Sequence, residues 1–72
     1  MRYMKLQTVF WKEDDMYIIK EVVTGVTTQG NTMEEALANL KEAVSLYVEE
    51  MPDARGMLTS MNTVGAVSVE IP

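Results

Sequence analysis

The run MEEALANLKEAVSLYVEE, from Met33 to Glu50, constrains this chain more than any other stretch. Met33, Ala36, Leu37, Leu40, Ala43, Val44, Tyr47, Val48 and Met51 recur at i, i+3, i+4 and i+7, the spacing of one helix face. Glu34, Glu35, Lys41, Glu42, Glu49 and Glu50 fall mostly on the other side. Pro52 ends the helix, because a residue before proline is pushed out of helical geometry. At the start, Thr32 and Glu35 have the T-x-x-E spacing of a capping box, in which each side chain satisfies the other residue's backbone N–H. Such a helix has one apolar stripe and needs one apolar surface to cover it.

The segment before it, TTQGNT, has the outline of a phosphate-binding loop: a glycine turn running into a helix N-terminus. The cap is the better reading. It uses the donors a phosphate would need, and Glu34 and Glu35 already place negative charge there. Neither Gly-x-x-x-x-Gly-Lys-Ser/Thr nor Gly-x-Gly-x-x-Gly occurs.

The covering surface is predicted upstream. Tyr3–Lys12 reads as a strand, with Met4, Leu6, Thr8 and Phe10 on one side and Tyr3, Lys5, Gln7, Val9 and Trp11 on the other. Met16–Val23 is a second strand rich in β-branched residues. The short polar connection Glu13-Asp14-Asp15 makes the two a hairpin. If Lys12 pairs with Met16, then Trp11 faces Tyr17, Val9 faces Ile19 and Phe10 faces Ile18, pairs that favour this register. Val26–Gln29 is a short third strand stopped by Gly30 and suited to an edge. Pro52–Met61 reads as a loop from its Pro, Asp and Gly punctuation. Thr63–Ile71 reads as a last strand with Val67, Val69 and Ile71 on one face. The expected order is β-β-β-α-β in one domain, residues 1–72: an α+β fold with the helix on one face of a mainly antiparallel sheet.

One helix covers only one side of a sheet. In the register above, Val9, Trp11, Tyr17 and Ile19 share the uncovered side. A contiguous apolar second face marks an interface, so these four are the candidate interface residues. The size of the chain points the same way. A core built from 72 residues rarely supplies more than roughly 3–5 kcal/mol of net stability. With no cysteine, neither a disulfide nor a thiolate metal site adds to it. A homodimer or higher oligomer is the expected supplement, two-fold closure being the commonest assembly.

Several functions are poorly supplied. The chain has no His and no Cys, so the usual neutral-pH base and the strongest simple nucleophile are missing. Ser45, Ser60 and Ser68 have no histidine to activate them. Glu13, Asp14 and Asp15 are consecutive and lack the spacing of a calcium loop. No catalytic, cofactor or metal residue is assigned. A net charge of −5 opposes phosphate-backbone binding and suits a basic partner. No apolar run approaches the roughly 20 residues of a membrane span. We expect a non-catalytic, cytoplasmic interaction protein.

Between Met16 and Val48 the chain resembles the HicB-like antitoxin domain. The stretch YIIKEVVTGVTTQGNTMEEALANLKEAVSLYV carries that family's Gly25, Gln29, Gly30, Thr32, Glu35, Ala36, Leu37, Leu40, Glu42, Ala43, Leu46 and Tyr47. It departs at the family's prolines, replaced by Glu21 and Thr24, and at Val26, where a cysteine is common. The resemblance implies a partial ribonuclease-H-like β-β-β-α-β core without nuclease activity. It implies a role in binding and occluding HicA, a small basic toxin that cleaves mRNA. Many HicB proteins add a DNA-binding domain; none follows here, so direct operator binding is not expected. The alternative is an orphan domain of the same fold that self-associates or binds a small ligand, without a toxin.

Overall fold

The computed structural model describes residues 4–72. Tyr3, where the first expected strand begins, lies outside the described residues, and residues 4–7, expected in the same strand, have no regular secondary structure. Three antiparallel strands lie in the order β1 (Thr8–Glu13), β2 (Met16–Glu21), β3 (Thr27–Gly30). Two helices follow, α1 (Met33–Glu50) and α2 (Ala54–Ser60). The architecture is α+β, with one helical layer on one face of the sheet.

The hairpin register differs by one residue from the expected one. Glu13 pairs with Met16, Lys12 with Tyr17, Trp11 with Ile18, Phe10 with Ile19 and Val9 with Lys20. The cause is the turn. Glu13 joins β1, leaving only Asp14 and Asp15 between the strands. Asp14 takes up φ 52°, a left-handed conformation that Asp tolerates better than most residues. A one-residue slip moves side chains to the opposite face, which changes the candidate site.

The helix runs as its periodicity predicts. Ala36, Leu40 and Val44 are fully buried and pack with Ile19 of β2 and Leu58 of α2. Around this core lie Met4, Leu6, Tyr17, Val23, Val26, Met33, Leu37 and Val48. Thr32 is the N-cap, its hydroxyl accepting from the Glu35 N–H at 3.1 Å. The reciprocal half of the box is absent among the described residues: no bond joins the Glu35 carboxylate to the Thr32 N–H. Thr32→Ala is therefore expected to cost about 1 kcal/mol, while Glu35→Gln stays within about 0.5 kcal/mol. Urea titration of both variants, followed by helical circular dichroism, checks this.

Two expectations for the second half are corrected. The predicted loop Pro52–Met61 contains α2. Pro52 and Asp53 stand at its start, where proline needs no N–H partner. Ala54 and Leu58, one helical turn apart, are both buried. Thr63–Ile71 forms no strand; residues 61–72 have no regular secondary structure and are exposed throughout. The alternation is present in the sequence, but the segment stands off the sheet and pairs with no strand.

Candidate interaction site

Two local devices fix the β2–β3 turn and the junction of sheet and helix. The first is Glu21, the last residue of β2, fully buried despite its charge. Its carboxylate accepts from the Val23 N–H at 2.8 Å, the Thr24 N–H at 2.6 Å and the Thr24 hydroxyl at 2.5 Å. Its own backbone bonds Val26 and Gly25 across the same turn, at 2.8 and 2.9 Å. Gly25 sits at φ 79°, where a side chain is strained. The turn from β2 to β3 is thus wrapped around one carboxylate, and no buried side-chain N or O among the described residues lacks a partner.

The second is the junction of β3 and α1. Gly30 is buried at the strand end, and a Cβ placed there would lie 2.6 Å from the Ala36 nitrogen. The Thr28 hydroxyl donates to the Ala36 carbonyl at 2.9 Å, and the Asn39 amide donates to the Gln29 carbonyl at 3.0 Å. Gly30 brings strand and helix backbones together, so its role is packing. The phosphate-loop outline of TTQGNT is filled by this contact and by the Thr32 cap.

With α1 held over β2 and β3, and not reaching β1, the faces of the hairpin are settled. Thr8, Phe10 and Lys12 share the helix side with Tyr17, Ile19 and Glu21. Val9, Trp11 and Glu13 share the open side with Met16, Ile18 and Lys20. The expected quartet is therefore split. Val9 and Trp11 lie on the open face. Ile19 is a core residue, 1% exposed. Tyr17 packs against the core from the helix side, with the Lys12 ammonium 5.5 Å above its ring. Met16 and Ile18 take the places assigned to Tyr17 and Ile19. Ile18 was expected beside Phe10, and the same slip moves it. The missed signal was the two-residue Asp14-Asp15 turn, the commonest hairpin length.

The open face is a small apolar surface centred on the Trp11–Ile18 pair, with Val9 and Met16 flanking. Val9 and Trp11 are 41% and 38% exposed. The Trp11 indole N–H donates to the Glu13 carboxylate at 3.0 Å, which fixes the ring's orientation along the strand. Lys20, Thr27 and Gln29 complete a polar border. Glu13, Asp14 and Asp15 lie at the hairpin tip, and no three acidic side chains among the described residues converge as a metal site would need. No helix among the described residues is long and apolar enough to cross a membrane.

Fold and surface together define a small α+β domain: a three-stranded sheet, covered on one side by a capped helix and uncovered on the other. Over residues 4–60 the chain matches, and belongs to, a family of unknown function, DUF7387. It is also similar to the UPF0150 protein Ta0767 of Thermoplasma acidophilum, with 40% identity over 50 residues, 67% of this chain and 72% of the relative. No solved structure matches.

Proposed function

We propose that this chain is a non-catalytic binding module of HicB-like type, whose open sheet face docks a small basic HicA-type ribonuclease toxin and occludes its RNA site. The observation that carries the proposal is the open face itself. Trp11 is large, preoriented by its bond to Glu13, and flanked by Val9, Met16 and Ile18. Aromatic anchors of this kind dominate binding energy at protein interfaces. The net charge of −5 adds the electrostatic sign that attracts a basic partner. The HicB-like pattern from Met16 to Val48 adds the class of partner.

The test is co-expression and pull-down with a small basic protein encoded beside this one. A stable complex that relieves RNA cleavage supports the reading. No complex and no relief of toxicity overturns it and favours an orphan domain of the same fold. Within a complex, Trp11→Ala is expected to weaken affinity by about 30-fold or more, the effect of losing roughly 2 kcal/mol at a hot spot. The free protein should lose no more than about 1 kcal/mol of stability, the scale of one cross-strand pair. Calorimetric titration and urea unfolding of the same variant separate the two.

A further inference from the structure

The segment from Thr63 to Ile71 is an arm that pairs with no strand of its own body. Its first residue is tethered, the Thr63 N–H donating to the Gln7 side-chain carbonyl at 3.1 Å. Beyond that it projects: Val67 is 87% and Ile71 84% exposed. The radius of gyration, 13.4 Å, exceeds the roughly 11 Å expected of a compact chain of this length. Yet Val67, Val69 and Ile71 alternate with Ser68 and Glu70, the pattern of a strand with one buried face.

The sheet offers a matching site. β1 is an edge strand, and α1 does not extend over it. Phe10, on the helix side of β1, is left 61% exposed. At the start of β1 an open groove of about 580 Å³ lies between Met4, Leu6 and Thr8 on one wall and Leu37 and Val44 of α1 on the other, with Lys41 and Arg55 at its rim. The other edge, β3, is short and already engaged by Asn39 through the Gln29 carbonyl. Among the described residues, β1 is the edge that combines an unpaired backbone with an uncovered apolar side.

We propose that the arm of one copy adds as a strand to the β1 edge of a second copy, and reciprocally. Val67, Val69 and Ile71 face the helix side of β1, along Phe10 and towards the groove at Thr8, and Ser68 and Glu70 face the opposite side. The reach suffices. Val64–Ile71 spans roughly 26 Å when extended, against roughly 20 Å for β1 at about 3.3 Å per residue. The occupant is a second copy: each arm projects from its own body, with Val64, Val67, Val69 and Ile71 all exposed, and mutual exchange pairs both edges in one closed two-fold assembly. The exchange uses the β1 edge and the helix side of the hairpin, so it is independent of the open-face reading above.

Light scattering on the isolated full chain at about 50 μM tests it. The expected result is twice the chain mass. The triple variant V67D/V69D/I71D is expected to be a monomer with an unchanged helical signal, because these side chains are outside the core. Phe10→Asp, on the receiving strand, is expected to weaken the dimer at least about tenfold. A wild-type monomer overturns the proposal, whether the arm is free or folded back on its own β1 edge. So does a triple variant that still dimerises, or a Phe10→Asp variant that dimerises like the wild type. None of these readouts requires a toxin.

Discussion

Glu21→Ala is expected to lower folding stability by about 3 kcal/mol, the largest loss for any single carboxylate in this chain. The carboxylate is fully buried and accepts from three donors, the Val23 and Thr24 N–H groups and the Thr24 hydroxyl. Each bond to a charged acceptor contributes about 1.5–3 kcal/mol net, and part of that is lost because water reaches the turn when it opens. The domain's whole stability is roughly 3–5 kcal/mol, so the variant would sit near its unfolding midpoint. With a urea dependence of about 1 kcal/mol per molar, the midpoint should fall by about 3 M. Glu21→Gln is expected to lose less, since an amide oxygen can still accept from one or two of these donors. If Glu21→Ala unfolds within about 0.5 kcal/mol of wild type, the carboxylate does not organise the β2–β3 turn.

Gly30→Val is expected to be comparably damaging for a different reason. A Cβ at Gly30 would lie 2.6 Å from the Ala36 nitrogen, 2.9 Å from the Glu35 Cβ and 3.0 Å from the Glu35 carbonyl carbon. Two of these are helix backbone and cannot swing aside, so the first turn of α1 must lift from β3. That strains the Thr28 and Asn39 bonds to Ala36 and Gln29. Overpacking of this kind costs about 1–3 kcal/mol, and valine belongs at the upper end. Gly25 is the control. It needs its positive φ of 79° but has nothing within 4 Å, so Gly25→Ala should cost only about 1 kcal/mol. A calorimetric melt of the three proteins reads the order. Should Gly30→Val melt no lower than Gly25→Ala, close approach is not what Gly30 provides.

These two positions also account for the family pattern around them. Gly30 and Thr32 resemble a ligand loop only while the helix is out of view. Once it is in place, one removes a clash and the other ends a backbone with an acceptor. Glu21 stands where the resembling family has a proline. It constrains the turn by hydrogen bonding where a proline would constrain it by its ring.

The candidate site is less legible in the sequence than the helix, for a definable reason. The apolar composition of both hairpin faces was legible, and so was the existence of an uncovered face. Its membership was not, because strand facing depends on the number of turn residues, and Glu13 could be counted either way. Val9 and Trp11 survived the one-residue slip on the open face. Tyr17 and Ile19 exchanged places with Met16 and Ile18. The α2 segment was missed because Pro52, Asp53 and Gly56 outweigh, as local signals, the two buried residues Ala54 and Leu58. Burial against α1 decided there, and propensity alone could not reveal it.

What the sequence determined by itself was local: the span and stripe of α1, its Thr32 cap, the second and third strands and the later half of the first, and the lack of histidine and cysteine. Each of these follows from a period or a residue's own chemistry within a few positions. The tertiary structure alone decided the rest: which face of the hairpin the helix covers, that Glu21 is buried, that Gly30 is a contact point, and that Thr63–Ile71 stands off the sheet. Those outcomes depend on what distant segments bring to the same place, and period and propensity contain no information about that.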